Sequence, residues 1–307
     1  MGTGWDEGQV PPLDGKVVLV TGANSGLGLA ASKVFVRHGA RVVLACRNAG
    51  KAEAAAAEVR AEATGGADVA IVPLDLASLA SVAATAKLVR DQEPRLDLLI
   101  NNAGLMAIDE ARTEDGFEMQ LGVNHLGHFA LTAQLAPLLL STPGSRIVSM
   151  SSVGHRVGRL RLDDLFFEKR GYDRWGAYFQ SKLANLLFTA ELHRRLTGAG
   201  AGTMALAAHP GGTATDLGYE GSALTNRALR AFVMPMLQPA WLGALPVVRA
   251  ATDPGATGGQ FYGPRWLVSG LPRVETPSRG ARRAEDARGL WARSEELTGV
   301  SLELPDP

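Results

Sequence analysis

Cysteine is almost missing from this 307-residue chain, and Cys46 stands alone. A single thiol excludes an internal disulfide and suits a reducing compartment, where a small buried apolar side chain is its expected role. Net charge is missing as well, with 31 basic residues against 31 acidic. That balance implies no polyanion-binding surface, so nucleic acid is not an expected partner. The opening MGTGWDEGQVPPLDG has neither a basic cluster nor an apolar run, so no secretory signal is read there. Long apolar runs are scarce too. The longest, Leu121 to Leu140, is interrupted by Asn124, His125, His128, Gln134 and Pro137, each of which would need a partner inside lipid. A buried helix is therefore expected, in a cytoplasmic protein with no integral membrane segment.

What the chain has in quantity is alternation. Short apolar runs at Lys16–Gly22, Ala40–Arg47, Asp68–Asp75, Leu96–Gly104, Ser145–Ser152 and Met204–Gly211 are separated by longer Ala-rich and Leu-rich helical segments. Apolar strands without polar alternation belong to a parallel sheet covered on both faces. Strand and helix taking turns gives the α/β class: one doubly wound, Rossmann-type parallel sheet with helices on both faces. A single domain over residues 1–307 is expected, with a loose arm at 1–13, a core at 14–263 and an Arg-rich, irregular extension at 264–307. That extension should close with a short helix docked by Leu290, Trp291 and Leu297, while Arg282, Arg283 and Arg288 face solvent. In such a sheet the ligand crevice lies beyond the carboxyl ends of the strands, which here gather Gly22, Arg47, Asp75, Asn101, Ser151, Ser152 and Pro210 on one edge.

The turn VTGANSGLGLA follows the first strand and opens the first helix, with Gly22, Gly26 and Gly28 at G-x-x-x-G-x-G spacing. This departs from the G-x-G-x-x-G fingerprint, yet the mechanics carry over. Glycines admit a pyrophosphate close to the backbone, and the free N–H groups of the helix start attract its charge. At the end of the second strand stand Arg47 and Asn48, with no carboxylate to bind a ribose 2′-hydroxyl. An arginine there accommodates a 2′-phosphate, so NADP(H) is expected over NAD(H), with Ser25 also near the phosphate.

Tyr178 and Lys182 lie one turn apart in AYFQSKLANLLF, and side chains at that spacing on a helix share one face. A phenol beside an ammonium can move a proton. His125, His128, His155 and His209 lack a cysteine or carboxylate set that would complete a metal site, so no metal is expected. His155 and Arg156 either line the pocket or lie in a surface loop. The segment from Asp216 to Leu245, with Tyr219, Phe232, Met234, Met236, Leu237 and Trp241, reads equally as a mobile lid or as a subunit contact.

With these residues in place, the sequence resembles the short-chain dehydrogenase/reductase family. The motifs TGANSGLG (Thr21–Gly28), DL (Asp75–Leu76), NNAG (Asn101–Gly104), NHLGHF (Asn124–Phe129), IVSMSS (Ile147–Ser152), YFQSK (Tyr178–Lys182) and HPG (His209–Gly211) follow the family's order over roughly residues 15–263. TGANSGLGL, ACRN and NHLGHF resemble its retinol-dehydrogenase-like, NADP-dependent branch. The resemblance implies a catalytic tetrad of Asn124, Ser152, Tyr178 and Lys182, with Ser151 as the competitor that the register disfavours. It implies cofactor contacts from Gly22, Asn24, Ser25, Gly26, Leu27 and Gly28 around the pyrophosphate, and from Arg47 and Asn48 beside the 2′-phosphate. Asp75 and Leu76 would flank adenine and Asn102, Ala103 and Gly104 the ribose. Tyr178, Lys182, Pro210, Gly211, Thr213 and Thr215 would lie around the nicotinamide, although the family usually has a branched aliphatic residue where Thr213 stands.

A free tyrosine is protonated at neutral pH, so Lys182 is expected to favour the phenolate and make the proton transferable in both directions. Asn124, in an apolar helix, is expected to be a functional or water-holding group, because an unpartnered buried amide costs about 1–3 kcal/mol. The activity implied is NADP(H)-dependent interconversion of a lipophilic aldehyde or ketone with its alcohol. The alternatives are reduction of a carbon–carbon double bond on the same scaffold, or a non-catalytic NADP sensor. The Leu121–Leu140 and Tyr178–Leu196 helices resemble those through which family members pair as homodimers or homotetramers.

Overall fold

The structure, a computed structural model, describes residues 4–213 and 238–304. Eight strands form one sheet in the order β3-β2-β1-β4-β5-β6-β7-β8. They are β1 (Val17–Thr21), β2 (Arg41–Cys46), β3 (Asp68–Pro73), β4 (Leu98–Asn101), β5 (Arg146–Met150), β6 (Met204–Ala208), β7 (Phe261–Pro264) and β8 (Pro272–Glu275). Pairing is parallel from β3 to β7, and β8 closes the edge antiparallel to β7. The strand order reverses direction beside β1, where β2 leads one way and β4 the other, so the carboxyl ends of these strands open the crevice of a doubly wound sheet.

The absence of polar alternation in β1 has its cause in the layers. Val18 and Val20 pack with α1 (Gly26–Arg37), α2 (Ala49–Ala61) and the helix Ala240–Thr252 on one face. Val17 and Leu19 pack with α3 (Leu79–Gln92) and the helices of the other face. Each fully buried Val or Leu stabilises the fold by about 1.5–3 kcal/mol, so the sheet's centre is the most strongly specified part.

The expected Leu121–Leu140 helix is built in three pieces: α4 (Met119–Leu121), a π-helical turn (Gly122–Leu126) and α5 (Gly127–Leu140). The π turn contains Asn124, and such bulges commonly sit where a helix must turn a side chain toward a site. Downstream come α6 (Arg174–Gly198), α7 (Ala240–Thr252) and α8 (Ala284–Thr298). Leu290 and Trp291 of α8 are buried as expected, with Leu297 partly so. Among the described residues, no helix is long and apolar enough to cross a membrane.

Two expectations at the ends need correction. Residues 4–13 are not loose, because Trp5, Val10 and Leu13 are buried in the α1 face and Glu7 pairs with Arg37. Nor is the extension irregular from residue 264, since β8 lies within it. Strands of four residues with proline at an end give no readable period, and Pro272 is tolerated as the first residue of the edge strand β8.

Candidate active site

The glycine turn between β1 and α1 is set by two steric demands. Gly22 has φ +64°, in the left-handed region, and a Cβ on Gly28 would sit 2.4 Å from the Gly22 carbonyl oxygen and 2.6 Å from Asn102 Nδ2. The turn and the start of α1 are therefore pressed against the end of β4. Ser25 stands at the N-cap of α1 without a side-chain cap bond, whereas Asn48, Ser78 and Asp173 cap α2, α3 and α6. The first N–H groups of α1 have no capping side chain and open onto a crevice of about 350 Å³.

Gly22, Asn24, Ser25, Gly26 and Leu27 line this crevice, together with Arg47, Asn48, Asp75, Leu76, Asn102, Ala103 and Gly104. Gly28 lies behind it, in the packing just described. Leu105, Met106 and Ile108 extend the wall, and Lys51 joins Arg47 on the rim. Lys51 escaped the sequence reading, though its place one helical turn after Arg47 was the available signal. These residues fit a dinucleotide: an uncapped helix start for a pyrophosphate, and two cations at the far rim for a further phosphate.

Thr21 and His128 also escaped it. Thr21 Oγ1 accepts from Asn102 N (2.9 Å) and Ala103 N (3.0 Å) and meets His128 Nε2 at 2.9 Å. His128 Nδ1 lies 3.1 Å from the Asn124 carbonyl oxygen, so a neutral imidazole ties the end of β1 to the π turn. Burial holds that imidazole down to about 4. A histidine four residues after Asn124 on an apolar helix was the sequence signal for this strut.

The Asn124 side chain is anchored within the protein. Its Oδ1 accepts from Leu105 N at 2.7 Å, and its Nδ2 donates to Leu105 O (3.0 Å) and Ser181 Oγ (2.8 Å). The amide thus fixes the strand that leaves β4 against α6. Gly104 sits inside this junction, where a Cβ would stand 3.1 Å from Asn124 Oδ1 and 3.2 Å from Lys182 Nζ.

Tyr178 and Lys182 are both buried on α6, at 5% and 3% exposure. Lys182 Nζ lies 5.8 Å from the centroid of the Tyr178 ring and 3.4 Å from the Met150 carbonyl oxygen. Burial lowers the Lys182 ammonium to about 8. Burial also pushes the Tyr178 hydroxyl above its ordinary range, opposed by a hydrogen bond with Ser152. A phenol raised above its ordinary value is protonated at neutral pH and can donate its proton. Ser151 is turned away, with its hydroxyl donating to the Lys182 carbonyl oxygen at 2.8 Å, while Ser152 Oγ accepts from Gly154 N at 3.1 Å. Adjacent residues at a strand end face opposite sides, and Ser152 is the one that meets the phenol.

The loop after β6 is self-bonded. Thr213 donates to the Pro210 carbonyl oxygen at 2.8 Å, and Gln238 Nε2 reaches the same oxygen at 2.6 Å. The hydroxyl of Thr213, expected toward a cofactor, is taken up by its own turn. Thr215 and most of the aromatic segment after it lie outside the described residues; Trp241 lies within them, 60% exposed. His155 is buried rather than in an open loop. The α5 and α6 faces named as pairing surfaces are largely buried within the chain itself. Cys46 is buried too, and burial pushes its thiol up to about 11.

Comparison with known proteins agrees with this architecture. The short chain dehydrogenase family profile matches residues 16–223. Human retinol dehydrogenase 13 is 42% identical over 299 residues, covering 95% of this chain and 87% of that protein. Human retinol dehydrogenase 12 is 40% identical over 293 residues, covering 95% and 89%. A crystal structure of a Mycobacterium paratuberculosis protein superposes with TM-score 0.82 at 42% identity, covering 98% of this chain and all of that one. A Burkholderia cenocepacia short chain dehydrogenase in complex with NADP superposes with TM-score 0.64 at 26% identity, covering 81% and 96%.

Proposed function

The chain belongs to the short-chain dehydrogenase family, and from that premise we propose that it interconverts a lipophilic aldehyde or ketone and its alcohol with NADP(H). The observation that carries this reading is the buried Tyr178 hydroxyl bonded to Ser152, with Lys182 one turn along the same helix. Bound in the crevice, the nicotinamide would supply or take up the hydride. Ser152 donates a hydrogen bond to the substrate oxygen and holds it beside Tyr178. As negative charge develops on that oxygen, Tyr178 gives up its proton, and the Lys182 ammonium, charged below about pH 8, stabilises the phenolate left behind. Oxidation runs the same transfer backwards.

Preference for NADPH is supported by Arg47 and Lys51 on the rim and by the lack of an acidic residue at the end of β2. A lipophilic substrate is supported by Leu105, Met106 and Ile108 on the crevice wall, and by the retinol dehydrogenases among the relatives.

NADPH consumption over a panel of retinoid, steroid and long-chain aldehydes against small polar carbonyls tests the whole reading. Turnover is expected on the lipophilic set, with Tyr178→Phe lowering kcat by roughly 10²–10⁴-fold and leaving NADPH affinity within about twofold. Turnover that survives Tyr178→Phe, or products saturated at carbon–carbon bonds with the carbonyl intact, would sink it.

A further inference from the structure

Glu275 ends β8, in the C-terminal extension, and its carboxylate is 3% exposed although no sequence motif singles it out. Its Oε2 lies 3.4 Å from His209 Nε2 and 3.3 Å from Arg156 Nη2, and its Oε1 lies 3.9 Å from Arg273 Nε. His209 is fully buried at the end of β6, one residue before Pro210. Its Nδ1 accepts from the Gly211 N–H at 3.2 Å. An acceptor nitrogen carries no proton, so the ring hydrogen of His209 is on Nε2, facing Glu275 in a close polar contact that falls outside hydrogen-bond geometry.

Three residues further on, the Ser278 N–H donates to His155 Nε2 at 3.3 Å. That bond leaves the His155 proton on Nδ1, which lies 2.6 Å from the Ser152 carbonyl oxygen. The two histidines therefore carry opposite tautomers, and the same short stretch of the extension faces both, with Glu275 beside His209 Nε2 and the Ser278 N–H on His155 Nε2. Both rings also pack on Phe261 of β7, with centroids 5.3 Å and 5.1 Å away. One histidine holds the turn that begins at Ser152 and the other the turn at Pro210–Gly211.

We propose that Glu275–Ser278 is a positioning clamp, which fixes the tautomers of His155 and His209 and so sets the Ser152 turn against the Pro210–Gly211 turn. This rests on the reading that those two turns flank the reacting carbonyl. The physical requirement is local. With its proton on Nδ1, His209 would present a donor to the Gly211 N–H, and that bond would be lost. Without Glu275, the Nε2–H of His209 loses the carboxylate that faces it, and the Arg156 guanidinium loses the oxygen to which it donates. Glu275 does not line the crevice, so its effect passes through the histidines.

Long-range ¹⁵N–¹H spectra of the full-length, histidine-labelled protein read both tautomers directly, without any turnover. His209 is expected as the Nε2–H form and His155 as the Nδ1–H form. In Glu275→Leu, His209 should become a tautomer mixture, and kcat for carbonyl reduction should fall about tenfold or more with KM changed less than about threefold. Glu275→Gln keeps an acceptor oxygen and should restore kcat to within about threefold. Ser278→Pro removes the N–H and should loosen the His155 tautomer alone, which provides a second reading should Glu275→Leu not fold. Reversed tautomers in the wild type overturn the clamp, as does a Glu275→Leu protein that melts lower yet keeps both tautomers and its kcat. If the wild type reduces no carbonyl, the proposed function fails, and the spectra still decide the clamp.

Discussion

Arg47 is exposed at the end of β2, on the rim of the crevice with Lys51, and no acidic side chain among the described residues pairs with it. A charge-assisted hydrogen bond to a phosphate is worth about 1.5–3 kcal/mol, so Arg47→Ser should raise the KM for NADPH roughly ten- to a hundredfold while barely moving that for NADH. Steady-state kinetics with both nucleotides check this, and a wild type that already prefers NADH would refute the assignment. Arg47 was readable from sequence because strand-end position is fixed by the apolar run before it. Thr21 and His128 were not, because their roles come from chains of hydrogen bonds joining β1, α5 and the π turn. Asn124 was legible only in part. Its burial was foreseen, but its partners, the Leu105 backbone and Ser181, are known only once the chain after β4 is placed against α6.

Among the elements, α8 shows how much the extension contributes to the site. Trp291 is 2% exposed, stacks on Phe188 of α6 at 5.8 Å and meets Phe129 of α5 edge-on at 5.1 Å. It therefore packs the helix bearing Tyr178 and Lys182 against the helix that follows Asn124. Trp291→Ala should cost about 3–5 kcal/mol of stability, because it opens a cavity between three helices. Urea unfolding monitored by circular dichroism would measure it, and a loss under about 1 kcal/mol would show that α8 is only loosely docked. The docking residues of α8 were legible from helical spacing. The strand β8 before it was not, since four residues that begin with proline leave no pattern to read.

For the molecule as a whole, the acid limb of stability follows from its buried imidazoles. Burial lowers His125 to about 3 and both His128 and His155 to about 4. In the unfolded chain these rings titrate near pH 6.5, at about the ordinary histidine value. Between about pH 6.5 and 4 the unfolded state binds more protons, so stability is complete above that window and is lost as pH falls through it, by up to about 1.4 kcal/mol per pH unit for each ring. Urea midpoints measured from pH 7 to 4.5 should fall steadily, and a flat profile would mean that the rings protonate without unfolding. The sequence by itself determined the alternation of strand and helix, the glycine turn, the strand-end Arg47 and the Tyr178–Lys182 pair, because each depends on spacing within one short segment. Tertiary structure alone decided where the Ser151 hydroxyl turns and how Asn124 is satisfied. It also brought the C-terminal Glu275 beneath the end of β6, because such contacts exist only after residues more than a hundred positions apart in sequence, such as Arg156 and Glu275, are folded side by side.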